Sequence, residues 1–587
     1  AADTWHSTRA ALTDYAERWK QAHYDACAAT HIRHEQSEQT LDLRMRCLDR
    51  RLGRFAALSE SLLHPTRDAI RTAPEAISTL GDIAACADAD HLSVVVPPPD
   101  DPAQVAAIEA AIAAASAREL AADLKGAFED SFLAAEKAAQ LGYPPLEAEA
   151  QLVLARVQDR RGEHDEATRA YTAAIAAAAR GHDDRLVAAA WVDFAFHVGA
   201  YHPDATRLPD LRLAAETAIA RAGDDLWLRA RLGQAAATML QRLGRPDEAL
   251  NALQFALEVF DRDPEREPAR RQQALNTAGL AYTRLGNYPA AQDAFQRALI
   301  AARRLYGPSH PAVAAILDNL ANLALATGDI ERADQHAREA AEIIDATLPP
   351  LHEARAASAR IRAQIAEERG DLSRAQALYE EALAVYHAQP DVDSMHLGAL
   401  YNDVAMLADR QGDLERARGH YREALKLFRV RFGPDHVYAR TVERNLAELA
   451  LWLDDPKTAL DIADRLLATL PEEPPFEPPK PYILCLRAQA QLALGKLAAA
   501  EDSAEEAVSL LDARKGGIPD RVDAALIQLT LARVLAAKGT DPQRQLTLAV
   551  LAGPVLRDSD STAAQRALPA LEALSRPPAR RGRSRAP

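Results

Sequence analysis

Residues 274–299 read ALNTAGLAYTRLGNYPAAQDAFQRAL, and this stretch decides the fold. Apolar side chains recur every three or four positions on each side of Gly286, which predicts two amphipathic helices. Glycine adopts the positive φ that ends a helix without steric cost, so Gly286 predicts the turn between them. The stretch therefore predicts a helix-turn-helix hairpin.

This hairpin pattern recurs along the chain at a constant spacing. Two further copies read ILDNLANLALATGDIERADQHAREAA (316–341) and LYNDVAMLADRQGDLERARGHYREAL (400–425). The turn glycines follow one another every 42 residues, at Gly244, Gly286, Gly328, Gly370 and Gly412. A fixed period of this size is typical of stacked helical repeats, each of which packs only on its neighbours. We therefore predict an all-α protein, an α-solenoid of stacked hairpins.

Small residues keep a fixed register after each turn. Ala291 and Ala298 lie five and twelve positions after Gly286, where the second helix presses against the first. The same pair of alanines follows Gly162, Gly244, Gly328, Gly370, Gly412 and Gly495. The register continues where the glycine is lost, because Asp454 stands 42 residues after the last of the evenly spaced glycines. Aspartate tolerates the left-handed conformation better than most residues.

Composition and charge exclude some functions. The 587-residue chain has a formal net charge of -16 and a pI near 5.6, so it lacks the basic footprint of a general nucleic-acid binder. No stretch approaches the roughly 18 uncharged apolar residues of a membrane span. We expect no nucleic-acid partner, and a membrane contact only through a span upstream of Ala1. Because residue 1 is not Met, we expect a mature or excised fragment.

The hairpin residues resemble the tetratricopeptide repeat. The copy around Gly286 carries the fullest match, at Gly279, Tyr282, Tyr288, Ala291, Phe295 and Ala298. The resemblance covers roughly residues 104–555, with weaker copies at Gly126 and Gly199. It implies a right-handed α-solenoid of about ten to eleven tetratricopeptide repeats.

Two inter-repeat loops narrow the resemblance. LYGPSHPAVA (305–314) and RFGPDHVYAR (431–440) share a Gly-Pro-x-His core. They resemble the loops of kinesin light chains and of bacterial proteins with the same repeat. These residues form turns first of all, so we do not expect their histidines to perform chemistry.

The sequence outside the repeats divides into three parts. Residues 1–92 are helical in pattern but lie off the repeat frame. Residues 93–103 form a Pro-rich linker, because consecutive prolines exclude helix. Residues 556–587 comprise a C-terminal cap, which a repeat array needs at its end, and a basic Pro/Arg-rich tail.

Two cysteines of the N-terminal region form a candidate disulfide. A continuous helix from Cys27 to Cys47 would separate their Cα atoms by roughly 30 Å, so a bridge requires a turn between them. HIRHEQSEQT (31–40) offers that turn, with Ser37 as the N-cap of a second helix. A Cys27–Cys47 bridge would indicate an oxidising compartment. The alternative is four buried thiols, at Cys27, Cys47, Cys86 and Cys485.

The N-terminal region carries a second resemblance. Its matching residues are Trp5, Tyr15, Trp19, Cys27, Glu35, Ser37, Leu43, Arg44, Cys47, Leu48, Arg51, Leu52 and Cys86. They resemble the segment that follows the membrane span in large Ser/Thr protein kinases of myxobacterial type. The resemblance implies the sensor or partner-recruiting region of a membrane-anchored bacterial kinase, on the extracytoplasmic side. The catalytic domain and the span would lie upstream.

No catalytic motif is present in the sequence. It contains no Gly-rich phosphate loop of the GxxxxGK[ST] or GxGxxG kind, no HRD or DFG, no HExxH and no GxSxG. Cys27, His31 and His34 could share a helix face, but a metal site usually needs a fourth ligand and an ordered second shell. We therefore predict no catalytic residue, no metal site and no cofactor.

The tetratricopeptide resemblance implies which residues line a groove, because the first helix of each hairpin faces the concave side. Ten positions before each turn residue, the column is Gln234, Asn276, Asp318, Arg360, Asn402 and Arg444. At the next position the column is Thr277, Asn319, Asp403 and Asn445, and Ile361 interrupts it. Kinesin-light-chain-like repeats use an asparagine there to hold a peptide backbone. The predicted site is completed by Arg242, Arg284, Asn322 and Arg410.

The chemistry of these columns suits a protein or peptide ligand. An asparagine amide offers a donor and an acceptor to an extended peptide, and arginine offers a planar fork to carboxylates. We therefore predict a ligand with acidic or C-terminal carboxylate character. The alternative is an ordinary solvent-facing surface, which carries the same residue types in any soluble protein.

These observations favour a non-enzymatic scaffold that binds a protein or peptide, as the sensor region of a bacterial membrane kinase. The alternative is a free-standing cytoplasmic adaptor similar to kinesin light chains. Those proteins carry a heptad coiled coil ahead of the repeats, whereas Pro65 and Pro74 interrupt the N-terminal region here. The sequence leaves the oligomeric state open.

Overall fold

The computed structural model describes residues 2–63, 67–78, 80–121, 123–201, 207–388, 394–470, 479–513, 520–559 and 561–575. Every regular element in these ranges is helical, which confirms the predicted all-α fold. No helix in them is both long and apolar enough to cross a membrane. The chain divides into two compact units, Ala1–Pro349 and Pro350–Pro587. The predicted tail beyond residue 575 lies outside the described residues.

The first unit begins with helices that do not form repeats. They are α1 (Ala2–His31), α2 (Glu38–Ser61), α3 (Arg67–Ser78), a short 3-10 helix (Ile83–Ala87) and α4 (Ala89–Val94). Ser37 accepts a hydrogen bond from the Thr40 backbone N–H at 3.1 Å, which confirms the predicted N-cap of α2. Trp19 Nε1 donates to the Leu48 carbonyl at 2.8 Å, so α1 and α2 lie side by side.

The rest of the first unit consists of hairpins, each an A helix followed by a B helix that packs against it. In chain order the A and B helices alternate as α5 (Pro102–Leu120), α6 (Leu124–Leu141), α7 (Pro144–Arg160), α8 (His164–Arg180), α9 (Asp184–Tyr201), α10 (Leu208–Arg221), α11 (Leu226–Arg242), α12 (Pro246–Arg262), α13 (Pro268–Arg284), α14 (Tyr288–Tyr306), α15 (Pro311–Ala326) and α16 (Ile330–Thr347).

The second unit continues the alternation of A and B helices. They are α17 (Glu353–Glu368), α18 (Leu372–His387), α19 (Ser394–Arg410), α20 (Leu414–Phe432), α21 (Val437–Trp452), α22 (Pro456–Ala468), α23 (Lys480–Ala493), α24 (Leu497–Asp512), α25 (Arg521–Lys538) and α26 (Pro542–Arg557). A final helix, α27 (Thr562–Ser575), has no partner B helix among the described residues.

The turns between A and B helices have the predicted backbone conformation. Positive φ is found at Gly162, Gly244, Gly286, Gly328, Gly370, Gly412 and Gly495. Asp454, which stands in the place of a glycine, has φ 56° and confirms the register. The weaker copies differ, because Gly126 and Gly199 lie inside α6 and α9. Asp123 caps α6 by accepting from the Gly126 N–H, so the turn precedes this glycine.

Small side chains set the distance between the A and B helices. Ala291 and Ala298 of α14 are fully buried, and so are the alanines at the same positions after Gly162, Gly244, Gly328, Gly370, Gly412 and Gly495. A Cβ added to Gly279 of α13 would lie 2.5 Å from the Phe295 ring of α14. The two helices therefore approach each other more closely than larger side chains at these positions would allow.

The A helices form the inner face within each unit. Neighbouring A helices pack against each other, as α11 does against α13 and α23 against α25. Neighbouring B helices have no contact of similar extent among the described residues. Helices on the inside of a curved array lie closer together than those on the outside, so the A helices are on the inside.

The structure does not form the predicted Cys27–Cys47 disulfide. Cys47 of α2 is bonded to Cys86 of the 3-10 helix, with Cα atoms 5.5 Å apart, and Cys27 is a free, half-buried thiol. Trp19 lies beside Leu48, and Cys27 is further along α1, roughly 12 Å nearer the turn. The 3-10 helix packs on α2 and brings Cys86 to Cys47 instead.

Replacement of Gly412 by Ala tests the turn geometry against a matched control. Neither Gly412 nor Gly419 of α20 has an atom within 4 Å of an added Cβ, but Gly412 has φ 82° whereas Gly419 is helical. We expect Gly412→Ala to lower the free energy of unfolding by about 1–2 kcal/mol. Gly419→Ala should raise it by about 0.5–1 kcal/mol. Thermal and urea unfolding measure both, and equal effects would contradict the predicted role of the turn.

A thiol count tests the disulfide. Under denaturing, non-reducing conditions we expect two reactive thiols, Cys27 and Cys485, and four after reduction. Cys86→Ser should destabilise the N-terminal helices by about 2–4 kcal/mol, because the bond closes a long loop. Cys27→Ser is the control and should change little. A peptide that links Cys27 to Cys47 in a non-reduced digest would refute the assignment.

Candidate functional site

The predicted groove residues all lie on A helices but differ in exposure. Arg284 and Asn322 are exposed. The half-buried members are Arg242, Asn276, Asn319, Arg360, Asn402, Arg410 and Arg444. The buried members are Gln234, Asp318, Asp403 and Asn445. Much of the predicted site therefore takes part in packing within the array.

Asparagine pairs link the A helices of successive repeats. Asn319 Nδ2 donates to Asn276 Oδ1 at 2.9 Å, and Asn445 Nδ2 donates to Asn402 Oδ1 at 3.1 Å. The partners of each pair are 43 residues apart, which is one repeat plus one residue. The repeat thus brings the two predicted columns together, and each bond holds an amide in a fixed orientation on the inner face.

Two predicted arginines form ion pairs with the same periodicity. Arg360 Nε lies 2.6 Å from Asp403 Oδ2, and Arg410 Nη1 lies 3.2 Å from Glu367 Oε2. Both pairs join residues 43 apart on neighbouring A helices. Burial by itself would lower the pKa of Arg360, but the Asp403 carboxylate raises it above its ordinary value.

Arg444 is engaged within the second unit as well. Its Nη2 donates to Asn445 Oδ1 at 2.9 Å, its Nη1 lies 3.7 Å from Asp523 Oδ2, and its guanidinium lies 5.3 Å from the Tyr482 ring centroid. The three arginines predicted in this unit therefore each contact an acid of the same unit. Within this unit, the expectation of an acidic ligand loses its support.

A further arrangement surrounds Glu367 and was missed from the sequence. Tyr379 donates a hydrogen bond to Glu367 Oε1 at 2.6 Å, and Arg410 of the next A helix binds the other oxygen. Burial raises the pKa of Glu367, and these two hydrogen bonds act against that shift. We call this an acid slot: a carboxylate three positions before the turn, a tyrosine nine positions after it, and a cation from outside the hairpin. The spacing of acid and tyrosine is visible in the sequence.

A second acid slot lies in the first unit. Tyr171 donates to Asp159 Oδ2 at 3.0 Å, and His197 Nδ1 of the next A helix lies 2.6 Å from Asp159 Oδ1. With His164, these residues offer three potential metal-ligand atoms within 4.8 Å of one another. The distance between His197 and Asp159 is that of a hydrogen bond, and His197 occupies the place that Arg410 takes in the Glu367 slot. We therefore interpret the group as a hydrogen-bonded cluster of side chains.

The histidines singled out near Cys27 have other neighbours. His31 Nδ1 lies 3.6 Å from Glu38 Oε1, and His34 Nδ1 lies 3.1 Å from the Thr30 carbonyl. Within the described part of the chain, Cys27, His31 and His34 do not form a group with the geometry of a metal site.

The N-terminal helices lie against the inner face of the first unit. Arg50 Nε is 2.9 Å from Glu109 Oε1 of α5, and Arg54 Nη2 is 2.7 Å from Glu149 Oε2 of α7. Burial alone would raise the pKa of Glu149, but Arg54 and Arg50 lower it below its ordinary value. These ion pairs attach α2 to the repeats.

A cavity of about 1750 Å³ is lined by the N-terminal region on one side and by the A helices α5 to α13 and part of α14 on the other. Its lining includes many arginines, among them Arg51 of α2 and Arg231 of α11. Tyr143 donates to the Val96 carbonyl at 3.2 Å, so the predicted linker also lies on the repeats. The cavity lining contains none of the groove residues predicted in this unit, as far as the structure describes it. The N-terminal region therefore covers much of this inner face.

Comparison with family models supports the repeat assignment. Residues 270–346 and 396–472 match the model described as Tetratricopeptide repeat, so these segments are tetratricopeptide repeats in sequence as well as in fold. The first segment includes α14 and α15 in full, and the second includes α20, α21 and α22 in full. No curated protein is detectably similar in sequence.

Solved structures of low similarity include helical repeat proteins. BtubC (BKLC) from P. vanneervenii shares 18% identity, with 46% of this chain and 94% of that chain covered and a TM-score of 0.28. A putative kinesin light chain of Podosopora anserina with TPR-like repeats shares 19%, with 34% and 95% covered and a TM-score of 0.28. The apo quorum sensor NprR from B. thuringiensis shares 12% identity, with 62% of this chain and 97% of that chain covered and a TM-score of 0.42. At these TM-scores the similarities carry no functional argument.

The Arg444–Asp523 pair predicts a pH dependence of stability. Burial raises the pKa of Asp523 to about 7, although Arg444 acts against this shift. An unfolded aspartate has a pKa of about 4, so between about pH 4 and 7 the folded state holds a proton that the unfolded state has released. Stability therefore falls as pH rises through this window.

Replacement of Asp523 by Asn should flatten this dependence by up to about 1.4 kcal/mol per pH unit. Unfolding measured at several pH values between 4.5 and 7.5, roughly spanning that window, provides the test. Asp461→Asn is the control, because Asp461 is exposed on α22. Parallel pH profiles for the two variants would contradict the assignment.

Proposed function

We propose that this tetratricopeptide repeat protein is a non-enzymatic scaffold that binds a protein or peptide on the inner face of its A helices. The asparagine pairs carry the proposal. Oδ1 of Asn276 and of Asn402 accepts a hydrogen bond from the next repeat, which fixes each side chain. Among the described residues, Asn276 Nδ2 has no acceptor, and Asn402 Nδ2 contacts only Met406 Sδ, at 3.5 Å.

These amides suit an extended peptide. A donor already held in place binds a backbone carbonyl without a further loss of rotamer freedom. The chemistry is recognition alone, because the sequence contains no phosphate loop, metal-binding motif or nucleophile motif. The ligand in this proposal is therefore bound and not transformed.

We further propose that the chain is the extracytoplasmic, partner-recruiting region of a membrane-anchored bacterial Ser/Thr kinase. The resemblance of the N-terminal residues to that segment supports this placement. The Cys47–Cys86 disulfide also supports it, because such bonds persist in oxidising compartments. The span and the catalytic domain would lie upstream of Ala1.

The gene sequence upstream of Ala1 distinguishes this placement from a free-standing cytoplasmic adaptor. A kinase domain followed by an apolar span would support the kinase context. A start codon immediately before Ala1 would instead favour the adaptor. Either result leaves peptide binding by the repeats to be tested separately.

Peptide-array binding tests the proposed recognition. We expect the double variant Asn276→Ala, Asn402→Ala to bind the peptides selected by the wild type at least about tenfold more weakly, because each substitution removes a fixed hydrogen-bond donor. Asn251→Ala is the matched control, since Asn251 is exposed on the B helix α12. Circular dichroism should show both variants folded. Unchanged affinity of the double variant for every selected peptide would refute the proposal.

A further inference from the structure

A third acid slot, around Asp409, lies in the second unit. Among the described residues, its cation does not come from a repeat helix. Asp409 and Tyr421 occupy the same positions around their turn as the acid and tyrosine of the two slots above. Burial and the Asp409 carboxylate raise the pKa of Tyr421. In the Glu367 slot the next A helix supplies an arginine two positions before its turn. Here that position holds Trp452, which has no charge.

The cation comes from α27. Arg566 Nη1 lies 2.8 Å from Asp409 Oδ1, and Nη2 donates to the Asp409 carbonyl at 3.1 Å. The guanidinium also lies 5.1 Å from the Trp452 ring centroid. The slot therefore combines a carboxylate, a backbone carbonyl and an aromatic face around one planar cation. Arginine satisfies all three contacts better than lysine does.

Small apolar residues attach α27 to the same surface. Ala564, Ala567 and Leu571 are buried in one cluster with Ala447 of α21 and Leu526 of α25. Their spacing of three and four residues places them in one stripe along α27. This inner face therefore accommodates a helix that carries an arginine beside a stripe of apolar side chains.

α27 has little stability of its own. It spans Thr562–Ser575 and contains Pro569, which removes one helical hydrogen bond. An isolated helix of this length is marginal in water, so its conformation depends on the surface beneath it. A competing segment with the same pattern would need to displace only this short helix.

We propose that Asp409, Trp452 and the adjoining apolar surface form a docking site for a helical segment of a partner protein that presents an arginine. α27 occupies this site in the free chain. The formal net charge of -16 favours such a cationic segment over an acidic one. The inference rests on the proposed function, because it names the partner class for the inner face of the second unit.

Binding of a fluorescent peptide of residues 561–575 to the full chain tests the proposal. In the wild type α27 competes at high effective concentration, so the added peptide binds weakly. Arg566→Ala in the chain weakens α27 and should tighten peptide binding about tenfold. Asp409→Asn in addition should abolish that gain. A peptide in which alanine replaces the arginine should bind at least about tenfold more weakly than the unmodified peptide.

Arg544→Ala is the matched control, because Arg544 is an exposed arginine of α26 that pairs with Glu505. Hydrogen exchange of the α27 amides gives a second readout that needs no added peptide. Exchange should accelerate in Arg566→Ala and in Asp409→Asn but not in Arg544→Ala. Equal peptide affinity of Arg566→Ala and Arg544→Ala, or equal α27 exchange in all variants, would overturn the inference.

The two proposals fail in different ways. The double variant Asn276→Ala, Asn402→Ala should still take up the α27 peptide when Arg566 is also replaced by Ala. If the asparagine variant loses the array peptides while the α27 peptide binds no variant, only the docking inference is overturned. If the α27 peptide binds as expected while array binding is unchanged, the docking inference stands and the asparagine column is refuted.

Discussion

The close approach of each B helix to its own A helix is the contact on which the rest of the structure depends. Fully buried alanines line the B side, and at Gly279 even a methyl group would collide with Phe295. Close-packed interiors do not tolerate such changes without rearrangement. The close approach recurs in the repeats that keep these alanines, and several of their successive A helices meet in the same register. The polar chemistry of the inner face follows from that register.

That register explains why many inner-face groups are already paired. Residues one repeat plus one position apart meet as Asn276 with Asn319 and as Arg360 with Asp403. The asparagine pairs leave amide donors for a ligand, whereas the predicted arginines of the second unit already contact acids. These arginines are therefore less available to an acidic ligand than their residue type suggests. In the acid slots, by contrast, a half-buried carboxylate is paired with a side chain from outside its own hairpin.

Helices outside the repeats lie on the inner face of each unit. In the first unit the N-terminal helices are held by ion pairs such as Arg54 with Glu149, and the Cys47–Cys86 bond joins α2 to the 3-10 helix. In the second unit α27 contributes Arg566 to the Asp409 slot. Segments outside the repeats thus show what kind of chain the A helices accept.

The sequence alone determined the features that depend on local conformation or on the period. These include the turn at each glycine, the left-handed Asp454, the Ser37 cap and the burial of the B-helix alanines. Each follows from steric limits or hydrogen bonds within a few residues, repeated by the spacing of 42. The columns of the candidate site were also located on A helices by that spacing.

Tertiary structure decided the partners of long-range groups. Cys47 pairs with Cys86 and not with Cys27, and Arg566 reaches Asp409 across 157 residues of chain. Neither contact follows the 42-residue period, because each depends on where a segment outside the repeats packs. The ion-pair partners of Arg360 and Arg410 could likewise not be predicted from the sequence, because they lie on neighbouring A helices. Local sterics set the repeat, whereas the packing of non-repeat segments on it set the charges and bonds that a ligand would meet.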